Sequence, residues 1–390
     1  MFDRYLVSPI LADLNDRKMV FIGGPRQVGK TTMAREFIAH HFTDSTYLNW
    51  DNRNDRRKII NAAWPGDESL VIFDELHKYK KWKNFIKGEY DVNKERLRFL
   101  VTGSARLDLY RKGGDSLQGR YHYFRLHPLS MAELERRHGA QTPFEPLVLA
   151  DGAKSSSFDL LLHFGGFPEP LTKSNERFSR RWHNEKVDRM IREDINEVSI
   201  LQDIGSVQLL SDLLPSKVGS LLSTNALRED LEVSFRAVAR WLDLLESFYY
   251  HFRIYPFTSS KIRSLKKEPK LYLWDWSELP DNGARFENMV ASHLLKFTHF
   301  LHDVEGFRSG LFFLRDLAKN EVDFLVTVDN RPWFAVEAKS GETEVAPNLI
   351  NFRNKLDIPY SYQLVEKPGI HLVKSGISII SADRFLASLV

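Results

Sequence analysis

A glycine-rich segment that follows a short apolar stretch constrains this chain more than any other feature. Met19-Val20-Phe21-Ile22 is brief, apolar and closed by glycines, so it predicts a buried strand. Residues 24–31 read Gly-Pro-Arg-Gln-Val-Gly-Lys-Thr and match the pattern G-x-x-x-x-G-K-T. Residues 31–41 then carry apolar residues at helical spacing. A strand, this loop and a helix in succession predict a phosphate-binding loop at a helix N-terminus.

The residue types in this loop suit ATP together with Mg²⁺, which are the predicted cofactors. Gly24 and Gly29 let backbone N–H groups point at the phosphates, and Lys30 can reach the β- and γ-phosphates. The hydroxyl of Thr31 is the predicted magnesium ligand. The residues expected to contact ATP are Gly24, Pro25, Arg26, Gln27, Val28, Gly29, Lys30, Thr31 and Thr32.

An acidic pair supplies the second half of the predicted ATP site. Asp74 and Glu75 directly follow the apolar residues 70–73, which predict another buried strand. At the end of such a strand Asp74 can hold magnesium and Glu75 can polarise the attacking water. The alternative is a chance glycine turn with an unrelated, solvated acidic pair. The order of the two motifs along the chain favours ATP hydrolysis.

Polar residues farther along the chain extend the predicted site. The apolar residues 97–101 end in Thr102-Gly103-Ser104, where the Ser104 hydroxyl either bonds the γ-phosphate or water, or merely caps the next helix. Arg120 is a candidate arginine finger for a neighbouring subunit, with Arg106 as its rival and a surface arginine as the alternative. The predicted catalytic residues are Lys30, Glu75, Ser104 and Arg120.

Changes of pattern divide the 390 residues into four expected parts. Alternating strands and helices predict an α/β fold with a parallel sheet over residues 1–165. A turn-rich junction and a charged helical stretch predict a lid or linker over residues 166–205. Three helical segments with N-cap residues at their breaks predict a winged-helix-like, helix-turn-helix domain over residues 206–270. The fourth part is residues 271–390.

Four motifs together resemble prokaryotic AAA-type ATPases that are fused to a C-terminal domain of unknown function. The motifs are residues 21–32, residues 73–78, residues 102–104 and residues 165–169. The resemblance extends over nearly the whole chain, and its first two motifs are specific. It implies an AAA-type fold and a homo-oligomer, with a ring as one form, but it supplies no substrate.

The C-terminal part contains a predicted hairpin with charged residues on one face. Residues 321–328 and 331–339 alternate like strands around Asp329-Asn330, a hairpin signal. A turn centred on Asn330 places Asp323 opposite Glu337, with Lys339 on the same face. The other face is apolar, so we expect the hairpin to have a core side and a chemical side. Its apolar residues are Val322, Phe324, Val326, Val328, Phe334, Val336 and Ala338.

Asp323 and Glu337-Ala338-Lys339 resemble the PD-(D/E)xK nuclease motif, although Val322 stands where that motif has proline. The resemblance implies a restriction-endonuclease-like α/β domain in which Asp323 and Glu337 share a metal ion. Glu287 is the expected upstream acid on a helix, and Gln363 is a further candidate. Two other interpretations remain, cross-strand salt bridges alone or a nuclease fold without activity.

The net charge of +3 is too small to indicate a partner. Local clusters of basic residues can contact phosphates, so DNA is the predicted partner. Residues 78–83 combine lysines with aromatic rings, and a solvated helix face is the alternative there. The other basic residues are Arg228, Arg236 and Arg240 in the helix-turn-helix stretch, and Lys261, Arg263, Lys266, Lys267 and Lys270 after it.

Composition excludes several kinds of chemistry. The chain has no cysteine, which rules out disulfides, thiolate zinc sites and cysteine nucleophiles and suits a reducing compartment. The sequence shows no signal pattern and no apolar run long enough to span a bilayer, so we expect a cytoplasmic protein without a membrane partner. The leading hypothesis is an ATPase that acts on DNA. The rival is an ATP-dependent switch whose C-terminal half binds a protein.

Overall fold

The computed structural model describes residues 2–64, 69–103, 117–137, 141–152, 154–195, 203–258, 267–341 and 344–390. The chain forms two compact units, Met1–His127 and Pro128–Val390. None of the helices within these described ranges is long and apolar enough to cross a membrane.

The N-terminal unit contains a five-stranded parallel sheet. Its strands are β1 (Met19–Gly23), β2 (Ser45–Asn49), β3 (Ser69–Asp74), β4 (Leu97–Thr102) and β5 (Tyr121–Arg125). They lie in the order β2-β3-β4-β1-β5. Strands β1 and β3 are buried at every position, which explains why they read as continuous apolar runs in the sequence.

Helices and turns connect these strands. The α-helices are α1 (Val7–Asn15), α2 (Lys30–Thr32), α3 (Arg53–Ile60) and α4 (Trp82–Asn93). Helix α2 continues as a π-helix (Met33–Ile38) and a 3-10 turn (Ala39–His41), so the predicted helix over residues 31–41 is confirmed with irregular geometry. A 3-10 turn (Leu76–Lys78) follows β3.

The C-terminal unit is built on an eight-stranded mixed sheet. The strands are β6 (His251–Pro256), β7 (Lys270–Leu273), β8 (Ser309–Arg315), β9 (Glu321–Val328), β10 (Arg331–Lys339), β11 (Tyr360–Val365), β12 (His371–Lys374) and β13 (Ile377–Ser381). Their order is β12-β13-β11-β10-β9-β8-β6-β7. A parallel pair, β10 with β11, lies beside the antiparallel hairpin of β9 and β10.

The α-helices of this unit follow in chain order. They are α5 (Met131–Leu134), α6 (Ser155–Phe164), α7 (Pro168–Lys173), α8 (Glu176–Arg189), α9 (Ile204–Leu213), α10 (Thr224–Asp230), α11 (Phe235–Ser247), α12 (Asn282–Asp303), α13 (Pro347–Leu356) and α14 (Ala382–Leu386). Helix α8 continues as a π-helix (Met190–Ile195). The 3-10 turns are Leu214–Lys217 and Trp276–Glu278.

The middle of the C-terminal unit has three helices, α9, α10 and α11, where the sequence predicted three helical segments. Ser223 caps helix α10 by accepting from the amide of Ala226, and Ser234 caps α11 by accepting from the amide of Ala237. Strands β6 and β7 then pair antiparallel, and an isolated bridge joins Leu221 to Lys270. Three helices followed by a two-stranded ribbon give this segment a winged-helix-like element order.

The division into units differs from the predicted domain boundaries. The structural break falls after His127, not after residue 165. The predicted boundary at residues 270 and 271 cuts through β7, which is part of the large sheet through β6 and its parallel partner β8. Backbone pairing of this kind carries no local sequence signal. The expected fold class is confirmed: an α/β protein with a central parallel sheet and a C-terminal α/β part with a mixed sheet.

Candidate functional site

The strand order brings the predicted ATP-site motifs to one edge of the N-terminal sheet. Strand β4 lies between β1 and β3, and all are parallel, so their carboxyl ends meet. The loop after β1 is the glycine-rich segment, β3 ends at Asp74, and β4 ends at Thr102. Ligands of open α/β sheets bind at this edge. Motifs about 50 residues apart along the chain thereby form one site.

Asp74 is the centre of the hydrogen-bond network in this site. Its Oδ2 accepts from the hydroxyl of Thr31 at 2.9 Å and from the phenol of Tyr47 at 2.7 Å. Its Oδ1 accepts from the hydroxyl of Thr102 at 2.6 Å. Asp74 is also buried. Hydroxyl and carboxylate oxygens held together in this way are the ligand types that Mg²⁺ prefers, so Thr31 and Asp74 fit the predicted ion.

The backbone of the glycine-rich loop has the conformation of a phosphate cradle. Gly24 and Gly29 have φ values of 143° and 99°, in the region that glycine adopts without strain. A Cβ atom on Gly24 would lie 2.4 Å from the carbonyl oxygen of Leu126, so no other residue fits there without a shift. Lys30 is buried, and its ammonium donates to the carbonyls of Gly24 at 2.9 Å and Pro25 at 2.7 Å. The loop and its lysine therefore fit a triphosphate.

Glu75, the second residue of the acidic pair, has an unusual backbone conformation and charged neighbours. It adopts a left-handed backbone conformation with φ of 56°, which is uncommon for a residue with a side chain. The ring Nε2 of His77 lies 3.2 Å from Glu75 Oε2, and Lys78 Nζ lies 3.9 Å from the same oxygen. Burial raises the pKa of Glu75, an effect that Lys30 opposes and Asp74 reinforces. A carboxylate with a raised pKa is a stronger proton acceptor.

Two predicted residues of the ATP site lie outside the described residues, namely Ser104 and Arg106. Arg120 precedes β5 and lies at the amino-terminal edge of the sheet, because its carbonyl accepts from the amide of Met19 at the start of β1. Its guanidinium makes two hydrogen bonds to Asp91, at 2.8 and 3.2 Å. Arg120 is therefore remote from the phosphate loop of its own chain.

Sequence reasoning missed two residues that position the acidic pair. Tyr47 on β2 donates to Asp74, and burial, reinforced by Asp74, raises the pKa of its phenol, which keeps its proton for this bond. His77 contacts Glu75 and is 2% exposed. His77 follows the acidic pair by two residues, which is a local signal. Tyr47 carries none, because its role follows from the pairing of β2 with β3.

The C-terminal hairpin brings Asp323 beside Glu337 as predicted, but its turn is shorter than predicted and one strand contains a bulge. Its turn has two residues, Asp329 and Asn330, both with positive φ, and Arg331 pairs with Val328. Continued without interruption, this register would place Asp323 opposite Val336. A bulge between Pro332 and Phe334 shifts the register by one residue, so that Val336 pairs with Phe324. The next position along β10 is Glu337, which brings it beside Asp323.

The expectation of a one-sided hairpin is wrong. Leu325 and Ala335 share the face of Asp323 and Glu337, and both are fully buried in a cluster with Leu349 of helix α13. Packing of this helix against β9 and β10 covers the face that was expected to be open. The charged residues are consequently confined to one end of the hairpin, at the start of β9 and the end of β10.

Asp323 and Glu337 lie side by side but have different partners. Asp323 accepts from the amide of Ala338 at 3.0 Å, and Glu337 accepts from the amide of Asp323 at 3.3 Å. The ammonium of Lys339 lies 3.2 Å from Glu337, whereas that of Lys270 lies 3.5 Å from Asp323. Across the described parts of the chain, no group of three or more acidic or histidine side chains could hold a metal ion.

Lys270 joins Asp323 to two further acids. Its ammonium lies 2.6 Å from Glu321 and 3.6 Å from Glu287, and the side chain is 3% exposed. Despite burial, the three carboxylates raise the pKa of Lys270, so it carries its proton. The sequence interpretation placed Lys270 in a basic DNA-binding stretch, whereas the structure directs it into the protein.

Burial and mutual repulsion raise the pKa values of two carboxyl groups here. The pKa of Glu287 rises to about 7, because of burial and then the charge of Asp323, and the hydroxyl of Tyr272 donates to Glu287 at 2.7 Å. The pKa of Glu337 rises to about 8 for the same two reasons, opposed by Lys339. Gln363 is buried in β11 opposite Glu337, and its amide bonds the backbone of Glu344 and Ala346. These contacts position Gln363 as a support for the loop before α13.

The candidate DNA contacts have mixed surroundings. Within residues 78–83, Lys80 and Lys81 are exposed, whereas Trp82 is buried in the core and its ring is not available to a base. Tyr79 stacks on Trp50 with ring centroids 4.7 Å apart. In the segment of helices α10 and α11, Arg236 and Arg240 are exposed and Arg228 is half-buried. Val238, Trp241, Leu242 and Leu245 form the buried face of α11. Lys267 is exposed, and Lys261, Arg263 and Lys266 lie outside the described residues.

A five-stranded parallel sheet with a glycine-rich phosphate cradle and an acidic strand end defines a P-loop nucleotide-binding domain. Residues 16–135 match the family model described as "AAA domain", so this segment is similar to AAA domains. Residues 155–279 match "Domain of unknown function (DUF8612)", and residues 282–384 match "Domain of unknown function (DUF4143)".

Two relatives are similar to nearly the whole chain, and two solved structures are similar to about two thirds of it or more. The uncharacterized proteins Rv2008c of Mycobacterium tuberculosis and Mb2031c of Mycobacterium bovis are each 22% identical over 396 residues, with 96% of this chain and 82% of the relative covered. The Thermotoga maritima RuvB Holliday junction branch migration motor is 16% identical, with a TM-score of 0.33 and coverage of 68% of this chain and 96% of RuvB. The Aeropyrum pernix ORC1 protein in complex with DNA is 14% identical, with a TM-score of 0.31 and coverage of 73% and 91%. Both TM-scores are too low to support an inference about partners.

Proposed function

We propose that this chain hydrolyses ATP in a magnesium-dependent reaction at the carboxyl edge of the N-terminal sheet. The observation that carries the proposal is the 2.9 Å hydrogen bond from Thr31 to Asp74, with Glu75 as the next residue. In this arrangement the phosphate cradle, the magnesium ligands and a base are adjacent. The match of residues 16–135 to AAA domains supports the same chemistry.

Each side chain has a defined task in this reaction. Bound Mg-ATP supplies the phosphoanhydride bond and a divalent charge that stabilises the phosphates. Lys30 leaves the carbonyls of Gly24 and Pro25 and donates to phosphate oxygens. Thr31 and Asp74 hold the ion. Glu75 orients the attacking water and accepts its proton.

Release of inorganic phosphate by purified full-length protein tests this proposal. We expect Lys30→Ala to abolish magnesium-dependent turnover. Lys94→Ala is the matched control, because Lys94 is exposed beyond the end of α4, and should behave as wild type. Normal turnover by Lys30→Ala would show that ATP is hydrolysed elsewhere.

We further propose DNA as the macromolecule on which the ATPase acts, in recombination, repair or conflict with mobile elements. The supporting observation is the exposure of Arg236 and Arg240 near the start of α11, the second helix of the helix-turn-helix. In such units the N-terminal residues of this helix contact the major groove. Arginine at these positions suits both phosphate and guanine contacts.

Fluorescence anisotropy with a labelled duplex tests this role. The variant Arg236→Glu/Arg240→Glu should weaken binding about tenfold or more and reduce its salt dependence, since phosphate contacts release counterions. Arg180→Glu/Arg181→Glu is the matched control, because both arginines are exposed on α8. DNA should also stimulate ATP hydrolysis by the control but not by the Arg236→Glu/Arg240→Glu variant. Equal DNA binding by both variants would contradict this assignment of the surface.

The C-terminal carboxylates support a second candidate function, cleavage of phosphodiester bonds. The adjacency of Asp323 and Glu337 on paired strands favours it, because two such carboxylates can hold a divalent ion against a phosphate. The ion pairs of Lys270 favour the rival, a catalytically inactive C-terminal half that binds a partner protein. If cleavage occurs, Asp323→Ala should remove it while ATP hydrolysis persists. ATP hydrolysis indifferent to DNA, together with no cleavage, would favour the rival.

Oligomer formation remains part of the proposal. AAA-type domains use an arginine of one subunit at the ATP of the next, and Arg120 lies away from its own phosphate loop. Mixing Lys30→Ala chains with Arg120→Ala chains should restore turnover only if Arg120 acts between subunits. Full activity of Arg120→Ala alone would exclude the role.

A further inference from the structure

The buried ammonium of Lys270 lies where three carboxylates converge, and no role in ATP hydrolysis or DNA binding accounts for it. Glu287 comes from helix α12, whereas Glu321 and Asp323 come from β9. Their oxygens lie 3.6, 2.6 and 3.5 Å from the Lys270 ammonium. One cation therefore ties together three separate elements, because Lys270 itself belongs to β7.

We propose that Lys270 is a resident cation of this cluster, so that a divalent metal ion binds the cluster only when the Lys270 side chain has left it. The proposal goes beyond ATP hydrolysis, because it concerns the C-terminal carboxylates alone. It also specifies what phosphodiester cleavage there would require.

The backbone of Lys270 is fixed from two sides, which holds the ammonium in place. Lys270 pairs with Ile254 of β6 and forms a bridge with Leu221. The neighbouring carbonyl of Pro269 accepts from the amide of Leu222. Displacement of the ammonium therefore needs a rotation of the Lys270 side chain or a shift of β7.

Charge balance shows why the lysine and a metal ion exclude each other. A buried ion is stable only beside compensating charge, and an ammonium with three acid neighbours has it. A divalent ion at the same carboxylates would lie against the Lys270 ammonium, whose side chain is 3% exposed, and like charges so close together and poorly solvated on one side repel strongly. The hydroxyl of Tyr272 and the amide of Ala338 occupy one further acceptor position each on Glu287 and Asp323.

The neighbouring Glu337 is separate from this group. It is paired with Lys339 at 3.2 Å, and Lys339 is 38% exposed, in contrast to Lys270. Lys339 can therefore move into solvent without a large cost, whereas Lys270 cannot. Of the two lysines, Lys270 controls access to the acids.

Titration of the full-length protein with Mn²⁺, followed by electron paramagnetic resonance, tests the proposal without depending on activity. We expect Lys270→Met to bind one more Mn²⁺ per chain than the wild type, with at least about tenfold higher affinity at this cluster. Lys270→Met/Asp323→Asn should lose the additional ion, which assigns it to the cluster rather than to the ATP site. Lys267→Met is the matched control, because Lys267 is exposed three residues away, and should match the wild type.

Two results would overturn the proposal. One is Mn²⁺ binding by the wild type that Asp323→Asn abolishes, since the lysine would then not exclude the ion. The other is a folded Lys270→Met that gains no ion.

If Lys270→Met does not fold, Lys270→Gln replaces it. Recovery of folding by added Mn²⁺ supports the proposal, whereas failure of Mn²⁺ to restore the folding of either variant contradicts it. Phosphate release, measured on the same samples, separates these outcomes from a failure of the ATPase proposal.

Discussion

At the scale of single residues, Tyr47 shows how a neighbouring strand positions the magnesium ligand. Its phenol donates to Asp74 at 2.7 Å from β2. Removal of a hydrogen bond that orients a metal ligand costs about 10- to 100-fold in metal affinity or activity. We expect Tyr47→Phe to raise the Mg²⁺ concentration needed for half-maximal ATP hydrolysis about tenfold. Tyr121→Phe on β5 is the control, and an unchanged Mg²⁺ dependence in Tyr47→Phe would contradict this role.

Glu337 gives a prediction about stability and pH. Its pKa rises to about 8 in the folded chain, against about 4.3 for an ordinary glutamate. Between these values the folded chain holds a proton that the unfolded chain releases, so the free energy of unfolding falls as pH rises. We expect the free energy of unfolding, measured by urea denaturation, to decline between about pH 5 and about pH 8. Glu337→Gln should make this decline smaller. An identical pH dependence in both proteins would show that Glu337 titrates normally.

Residue types in the ATP site could be assigned from sequence because the motif encodes the mechanism directly. Gly24, Lys30 and Thr31 follow one another in a pattern whose chemistry is local. Lys270 could not be assigned, because its partners are 17 to 53 residues away and its neighbours in sequence are basic. A lysine among basic residues suggests a surface, and only the pairing of β6, β7 and residue 221 directs it inward.

At the scale of elements, the serine caps of the helix-turn-helix are testable. Ser234 accepts from the amide of Ala237 at 3.2 Å at the start of α11. Loss of an N-cap hydroxyl costs about 1 kcal/mol. We expect Ser234→Ala to lower the free energy of unfolding of the C-terminal unit by about that amount in chemical denaturation. Ser234→Asn can also cap the helix and should keep most of the wild-type free energy of unfolding. Equal stabilities of all three proteins would show that the Ser234 cap does not stabilise the unit.

The hairpin of β9 and β10 was predicted with the right partner for Asp323 through an incomplete argument. Asp329-Asn330 correctly indicated the turn, but the predicted turn was centred on Asn330, whereas the observed turn consists of these two residues and pairs Arg331 with Val328. This one-residue difference in register is cancelled by the bulge between Pro332 and Phe334. Trp333 lies at the bulge, and its indole donates to the carbonyl of Glu145 at 2.9 Å. Contacts between residues so far apart in sequence leave no local pattern.

At the scale of the whole molecule, the N-terminal unit could be predicted from the sequence more completely than the C-terminal unit. In the unit Met1–His127, strands alternate with helices, which is why the sequence predicts a parallel sheet. The order β2-β3-β4-β1-β5 then brings the ATP motifs to one edge. In the unit Pro128–Val390, a single sheet joins the winged-helix-like segment to the C-terminal strands through β6 and β8. Turn-rich residues suggested domain boundaries that this pairing crosses. Local composition indicates where loops lie, but the pairing of strands decides which segments belong to one unit.

The most direct test of ATP hydrolysis at this site compares ATP binding and single-turnover phosphate release in the wild type and Glu75→Gln. Glu75→Gln keeps the shape of the side chain but removes the carboxylate that His77 contacts at 3.2 Å. We predict wild-type affinity for Mg-ATP and a loss of at least about 100-fold in the rate of phosphate release. Release at the wild-type rate by Glu75→Gln would contradict the assignment of Glu75 as the base and, with it, the proposed mechanism.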